Sequence, residues 1–187
     1  GNWEIIDYYG FNPKTKDVYI QTTEKGSLNK VVSKLNIDSG KSQIVSNEEG
    51  NNSAAFSQNF NYFINTVSTA STPHQYILKD ANGKTVKELQ NNNEVLDKLK
   101  TDNFVVKEFI TIPNAVGDEM NAWIIKPKNF DPNKKYPLFM FQYSGPGSQQ
   151  VSNSWDAGNT IWFEMLAQKG YIVACVDGRG TGFKGSK

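Results

Sequence analysis

The hexapeptide DVYIQT at residues 17–22 recurs as NYFINT at residues 61–66, 44 positions further along the chain. Both copies are short runs of the β type, so a strand is expected at each. The turns recur as well, because DSGK at residues 38–41 is echoed by DANGK at residues 80–84. The N-terminal half is therefore built from a repeat.

The length of this repeat indicates the architecture. Further strand patterns lie at residues 4–8, 31–37, 54–56 and 75–79, so we expect about four strands in each repeat. A repeat of about 40–50 residues with four strands is typical of a β-propeller blade, which stacks against its neighbours. We predict two blades in residues 1–90, with a two-sheet sandwich of the same strands as the alternative.

From residue 91 onward the pattern changes. A short capped helix is predicted at residues 93–99, inside a linker at 91–103. Strands are then predicted at 104–112, 120–125, 138–143 and 171–176, with a helix at 154–169. The apolar residues of that helix, expected to face the core, are Ile161, Trp162, Met165 and Leu166. A strand, helix and strand in this order predict a parallel pairing in a sheet that is buried on both faces.

The stretch YPLFMFQYSGPGSQ at residues 136–149 combines an apolar strand with a polar end. The apolar run stops at Tyr143, and a turn rich in Gly, Pro and Ser follows. A tyrosine here can simply close a core strand, or its O–H can be aimed at developing negative charge. Asp177 follows the next predicted strand, and function in open α/β sheets gathers at such strand ends.

Composition and charge exclude several classes of protein. Twenty basic and nineteen acidic side chains give a net charge of +1, with no basic block, so nucleic acid is not expected as a partner. No apolar run approaches the length of about 20 residues that spans a bilayer. The single cysteine, Cys175, lies in an apolar run and excludes an internal disulfide, so a buried inert thiol is expected.

The sequence predicts neither a cofactor nor a metal site. GTGFKG at residues 180–185 formally matches a dinucleotide fingerprint, but it lacks the acidic residue expected about 20 positions later. His74 is the single histidine, so no histidine-based metal site or Ser-His pair can form within these residues. No G-x-S-x-G element occurs either.

Two motifs show a family resemblance. The stretch at 136–149, followed by DGRGTGFKG at 177–185, resembles the dipeptidyl peptidase IV family of the prolyl oligopeptidase clan, as do Trp3-Glu4 and the two repeats. The resemblance implies a β-propeller segment of two blades followed by a partial α/β-hydrolase domain with a mixed, mostly parallel sheet and a flanking helix. Residues 1–90 would be the last two blades, and residues 104–187 the first half of the hydrolase, truncated before the nucleophile.

The resemblance also implies an activity. Members are serine peptidases that remove N-terminal dipeptides with penultimate proline or alanine. The tyrosine that matches Tyr143 serves there as a hydroxyl donor of the oxyanion hole. The serine nucleophile, acid and histidine of the triad are absent from these residues, so this chain alone is expected to be inactive. Asp177 and Arg179 are interpreted as residues that fix turns.

The expected partners are peptides with penultimate Pro or Ala, and the family implies a homodimer for the full-length protein in a periplasmic or otherwise exported location. Another peptidase of the clan, acylaminoacyl or oligopeptidase, is one alternative, although such relatives usually carry a different loop at the position of Tyr143. A non-catalytic binding module is a second alternative, and an unrelated nucleotide-binding protein is a third.

Overall fold

The structure is a computed structural model that describes residues 2–143, 145 and 147–185. These described residues contain twelve strands and two helices. In chain order they are β1 Ile5–Asn12, β2 Asp17–Thr22, β3 Val31–Asn36, β4 Ser42–Ile44, β5 Asn51–Phe56, β6 Tyr62–Ser68, β7 Gln75–Asp80, β8 Thr85–Gln90, α1 Asn93–Thr101, β9 Glu108–Pro113, β10 Glu119–Ile125, β11 Leu138–Phe141, α2 Ala157–Gln168 and β12 Ile172–Val176.

The chain divides into two compact units, which we describe separately. The repeat unit contains the described residues of Gly1–Asn93, Ser152–Ser154 and Phe183–Lys187. The loop unit contains those of Glu94–Val151 and Trp155–Gly182. Whether residues 1–90, 91–103 and 104–187 are blades, linker and peptidase part, respectively, stays a prediction.

The repeat unit consists of two four-stranded antiparallel sheets, ordered β1-β2-β3-β4 and β5-β6-β7-β8. The recurring hexapeptides contribute the second strand of each sheet, since DVYIQT forms β2 and NYFINT lies largely in β6. The predicted repeat of four strands is therefore present. Strand β8 is exposed along its entire length, so its sequence carries no alternation by which it could be recognised.

The two sheets of the repeat unit share one apolar core. Val32 of β3 and Phe63 of β6 are fully buried, and aromatic rings from both sheets surround them. Tyr19 stacks on Phe60 with 5.2 Å between the ring centroids and an interplanar angle of 4°. Phe60 also approaches β1 so closely that a Cβ at Gly10 would lie 2.5 Å from the ring. Glycine is required at this position because its φ of 144° and the ring leave no space for a side chain.

A polar network lies inside the second sheet of the repeat unit. The Lys79 side chain is almost fully buried and pairs with the carboxylate of Glu48. The amide of Asn65 donates to Glu48 Oε2 and to Asn52 Oδ1, each over 3.0 Å. The amide of Asn52 in turn donates to the carbonyl of Lys30, which precedes the first sheet's third strand, over 3.0 Å. Polar side chains therefore connect the repeats alongside the apolar core.

The sheet of the loop unit corrects the predicted fold class. Its order is β11-β12-β10-β9, and only β11 and β12 pair in parallel, while the pairs β12/β10 and β10/β9 are antiparallel. The prediction of a mostly parallel sheet in a partial α/β-hydrolase domain is therefore wrong. With three sheets and two short helices, the described residues are nearly all β. The apolar patterns located the strands but carry no information about their direction. A short turn joins β9 to β10, so these two strands form an antiparallel hairpin.

The packing of β11 and α2 also differs from the prediction. Ile161 and Trp162 of α2, expected in the core, are 58% and 50% exposed. The buried residues of this helix are Thr160, Phe163, Glu164 and Ala167. Phe163 packs on Trp123, Phe139 and Phe141 at centroid distances of 5.1, 6.5 and 5.1 Å. Strand β11 is buried on one face only, since Leu138 and Met140 on its other face are 58% and 48% exposed.

Candidate functional site

Tyr143 and Asp177 follow two strands that run side by side. Strand β11 ends at Phe141, which lies opposite Cys175 in the parallel pairing with β12. Tyr143 comes two residues after Phe141, and Asp177 comes two residues after Cys175. Parallel strands end at the same edge of their sheet, so both residues leave the sheet on one side, as the sequence predicted. The Tyr143 side chain is 62% exposed there.

Tyr143 is exposed, whereas strand β11 before it is packed against the core of the loop unit. Phe141 precedes it by two residues and packs against Phe163 of α2, which also contacts the buried ring of Trp123. Aromatic contacts of this kind stabilise a core beyond the area they bury. The strand therefore carries Tyr143 to the edge of the sheet from a fixed base, and the phenol itself is accessible to a ligand.

The turn after Tyr143 is closed by a serine. Ser148 donates its hydroxyl to the carbonyl of Gly145 over 2.6 Å, and the Ser148 amide donates to the same oxygen over 3.0 Å. The Tyr143 ring lies against Gly145, where an added Cβ would come within 2.9 Å of ring carbons and of the phenol oxygen. Glycine at 145 therefore permits the observed ring position. Ser144 and Pro146 of the predicted turn lie outside the described residues.

Asp177 binds the far end of this loop. Its carboxylate accepts hydrogen bonds from the Gln150 amide, at 2.9 and 3.1 Å to its two oxygens, and from the Val151 amide at 2.9 Å. The indole N–H of Trp123 donates to the Gln150 carbonyl over 3.2 Å. Asp177 is 3% exposed and Trp123 is 1% exposed, so these bonds are shielded from water.

The glycine-rich segment after β12 contacts the middle of the loop. The Gly147 amide donates to the Gly180 carbonyl over 3.4 Å. A Cβ at Gly182 would lie 3.2 Å from the Gly147 carbonyl oxygen, so a larger residue there would press on the loop. Arg179 points elsewhere and pairs with Asp118 over 3.2 Å at the surface. Within the described residues 178–185 no helix begins, and such a helix is what a dinucleotide fingerprint requires.

Ionisable groups near Trp123 are affected by burial. Burial raises the pKa of the Cys175 thiol to about 12, and the nearby Asp177 carboxylate contributes in the same direction. The thiol therefore stays protonated at neutral pH, in agreement with the expected inert cysteine. Burial lowers the pKa of Lys107, whose ammonium lies 4.9 Å from the centroid of the Trp123 ring.

Other candidate chemistry is sparse in the described residues. His74 is exposed, and its carbonyl accepts a hydrogen bond from the Asn92 side chain over 2.6 Å. In the part of the chain that the structure describes, no three His, Cys, Asp or Glu side chains cluster as metal ligands. Neither of the described helices is long and apolar enough to cross a membrane.

The sequence predicts Tyr143 at a strand end, but it does not predict the residues that hold the loop after Tyr143. Trp123 was considered only as part of a strand, and Gln150 was assigned no role. Asp177 was recognised as a turn residue, which agrees with its backbone contacts, but its partners 26 and 27 positions away were not predicted. An acidic residue directly after a buried apolar strand was the available signal, because a buried carboxylate requires several donors.

Comparisons with known proteins agree with the resemblance in its coarser form. Residues 1–74 match the family described as the dipeptidyl peptidase IV (DPP IV) N-terminal region. The matched family model describes the N-terminal region. It does not support the assignment of this chain to the last blades and the first half of a hydrolase domain.

Individual relatives match along the whole chain. The dipeptidyl peptidase 4 of Trichophyton tonsurans is 31% identical over 100% of this chain and 25% of its own length, and that of Arthroderma otae is 32% identical with the same coverage. The chain thus spans about a quarter of the length of these curated relatives. The crystal structure of Porphyromonas gingivalis dipeptidyl peptidase 4 superposes with a TM-score of 0.93 and 40% identity, over 100% of this chain and 26% of that one. The chain is therefore similar along its whole length to part of these dipeptidyl peptidases 4, and its residues 1–74 match the N-terminal region of that family.

Proposed function

We propose that the full-length protein is a serine-type dipeptidyl peptidase that removes N-terminal X-Pro or X-Ala dipeptides from peptides. Its relatives carry the name dipeptidyl peptidase 4, and they match this chain from end to end. In this proposal Tyr143 donates its hydroxyl to the oxyanion that develops when the peptide carbonyl is attacked. In this proposal the nucleophile, acid and histidine of the triad lie outside these 187 residues, and the chain by itself is inactive.

One observation carries the proposed role of Tyr143. Its phenol is 62% exposed at the edge of the sheet, while the loop that follows it is held at Gln150 by hydrogen bonds to buried side chains. A donor that stabilises an oxyanion has to be accessible to substrate and fixed in advance, because reorganisation during the reaction would cost free energy. A tyrosine that only closed a core strand would instead bury its ring.

The test is Tyr143→Phe in the full-length protein, with hydrolysis of a Gly-Pro chromogenic substrate as the readout. Removing one oxyanion donor lowers kcat by about 100- to 1000-fold in enzymes that use such donors. We expect this loss with a small change in KM, because the O–H would act on the transition state. Tyr171→Phe is the matched control, since Tyr171 is also partly exposed in the loop unit but precedes β12 at its other end. An unchanged kcat for Tyr143→Phe would contradict the proposal.

The family resemblance supports three further proposals. The two sheets of the repeat unit are proposed to be propeller blades, because each is a four-stranded antiparallel meander and the two stack through one core. The full-length protein is proposed to be a homodimer. Its location is proposed to be periplasmic or otherwise exported.

A further inference from the structure

We propose that Asp177 is a positioning residue for Tyr143. In this proposal its carboxylate holds the far end of the loop that begins at Tyr143, and so keeps the phenol in place for the oxyanion. The inference rests on the proposed function of Tyr143, and it adds a residue that does not itself touch substrate.

The first argument is the geometry of the carboxylate. Both oxygens of Asp177 are used, since Oδ1 accepts from the Gln150 amide at 2.9 Å and Oδ2 accepts from the Val151 amide at 2.9 Å. The Asp177 amide donates to the carbonyl of Asn121 in β10 over 2.9 Å. The residue is thus attached to the sheet on one side and to the loop on the other, and bonds from N–H groups to a charged acceptor are among the stronger ones in proteins.

The second argument is that the same peptide unit is bound from both directions. The Gln150 amide donates to Asp177, and the Gln150 carbonyl accepts from the indole of Trp123 over 3.2 Å. Trp123 is held in turn by Phe163, with 5.1 Å between the centroids. We call Asp177, Trp123 and the Gln150 peptide that they bind the Gln150 clamp.

The third argument is the short distance along the chain. Tyr143 lies between Phe141, the last residue of β11, and Gln150, so the chain is fixed two residues before it and seven residues after it. Contacts of Ser148 with Gly145 and of Gly147 with Gly180 brace the interval. Releasing the clamp would let this interval move, and a displacement of about 1 Å at a reacting group can cost about 100-fold in rate.

An amide cannot replace the carboxylate at this site. Asparagine has one acceptor oxygen, and its NH2 group would face a backbone N–H where Asp177 now presents its second oxygen. Asp177→Asn therefore keeps the size of the side chain and loosens the clamp. In the full-length protein we expect kcat for the Gly-Pro substrate to fall about 10- to 100-fold, with KM changed less than about threefold. Asp118→Asn is the matched control, because the Asp118 carboxylate lies in the same unit and its side chain is 45% exposed.

A double variant separates positioning from a general structural role. If Asp177 acts through the phenol, Asp177→Asn should cost little in a protein that already carries Tyr143→Phe. Hydrogen exchange of the Gln150 and Val151 amides is a second readout that is independent of activity, and we expect it to accelerate about tenfold or more in Asp177→Asn. The control Asp118→Asn should leave both amides as protected as in the parent protein.

Trp123→Phe covers the case in which Asp177→Asn fails to fold. This change keeps an aromatic ring and removes the N–H that binds Gln150, so a smaller loss of kcat, up to about tenfold, is expected. The inference is overturned if Tyr143→Phe is impaired while both clamp variants keep full kcat, or if the losses multiply fully in the double variant. If Tyr143→Phe itself keeps full kcat, the proposed function has failed, and the two failures are thus distinguished.

Discussion

The repeat unit and the loop unit satisfy buried charge in different ways. In the repeat unit, the buried ammonium of Lys79 pairs with Glu48, whose other carboxylate oxygen accepts from Asn65. In the loop unit, the buried carboxylate of Asp177 is bound by the backbone amides of Gln150 and Val151. The first arrangement joins β6 and β7 to the segment between β4 and β5 that carries Glu48, and the second fixes the path of a loop. The difference lies in the partners of the two carboxylates, which are side chains in the repeat unit and backbone amides in the loop unit.

The largest effect is expected from Glu48→Gln in the repeat unit. The Lys79 side chain is 2% exposed and that of Glu48 25%, so the substitution leaves a buried ammonium without its counter-charge. Breaking a buried pair in this way costs about 3–5 kcal/mol. Thermal unfolding should show a Tm lower by about 6–20 °C, since roughly 1 kcal/mol corresponds to about 2–4 °C in a chain of this size.

Asp97→Asn is the control for this first prediction. Asp97 pairs with Lys100 in α1 over 3.4 Å, but both side chains are more than 60% exposed, at 73% and 67%. An exposed pair contributes about 0–1 kcal/mol, so this variant should unfold within about 4 °C of the parent. Equal changes in Tm for the two variants would show that the buried Lys79 ammonium does not need the Glu48 carboxylate for stability. The contrast drawn between the two units would then be wrong for the repeat unit.

The repeat unit could be predicted from sequence more fully than the loop unit. The hexapeptides at 17–22 and 61–66 are recurring runs of the β type, which is a local signal, and they form strands within a few residues of the predicted bounds. Polar strands such as β8 carry no such signal. The network of Lys79, Glu48 and Asn65 joins residues up to 31 positions apart, and no local pattern announces it.

Helix α2 shows why prediction failed in the loop unit. Apolar side chains occur around the helix, at Ile161 and Trp162 as well as at Phe163 and Ala167, so the sequence offers two candidate faces. The structure buries the face with Phe163, since this ring fits among Trp123, Phe139 and Phe141. Which face is buried depends on the sheet that receives it, and the sheet's strand directions were themselves predicted wrongly.

The candidate site shows the same division. Tyr143 was predicted at a strand end, because an apolar run followed by Gly and Pro is a local signal. The Gln150 clamp depends on a contact across 27 residues between Trp123 and Gln150, and on another across 27 between Gln150 and Asp177. Such contacts follow from the pairing of β10, β11 and β12, which single-residue patterns do not specify.

A smaller effect is expected from Glu4→Gln, which asks whether the repeat unit also uses a carboxylate to hold loop backbone. Glu4 Oε1 accepts from the Gly185 amide over 2.8 Å, and Oε2 accepts from the Phe183 amide over 3.1 Å. Glutamine has one acceptor oxygen, so one of these amides loses its partner. Loss of a bond to a charged acceptor costs about 1.5–3 kcal/mol locally, which corresponds to hydrogen exchange faster by about tenfold or more at one of the two amides.

Glu88→Gln is the control for Glu4→Gln, because Glu88 is exposed in β8 and lies in the same unit. Exchange at Phe183 and Gly185 should be unchanged in this variant. If Glu4→Gln also leaves both amides as they were, Glu4 does not hold this segment. Glu4 would then not be a counterpart of Asp177 in the repeat unit, and the contrast between the units would be sharper.

The smallest effect is expected from Glu164→Gln in α2, and it depends on pH. Burial raises the pKa of Glu164, and its Oε2 has no hydrogen-bond partner among the described residues. A carboxyl whose pKa is higher in the folded protein stabilises it fully below the unfolded pKa of about 4.3, and this stabilisation is lost as pH rises through the folded value. Glutamine does not titrate, so the Tm of the variant relative to the parent should rise from pH 4 to pH 8. A flat difference for Glu164→Gln would mean that burial of this carboxylate costs the loop unit no stability.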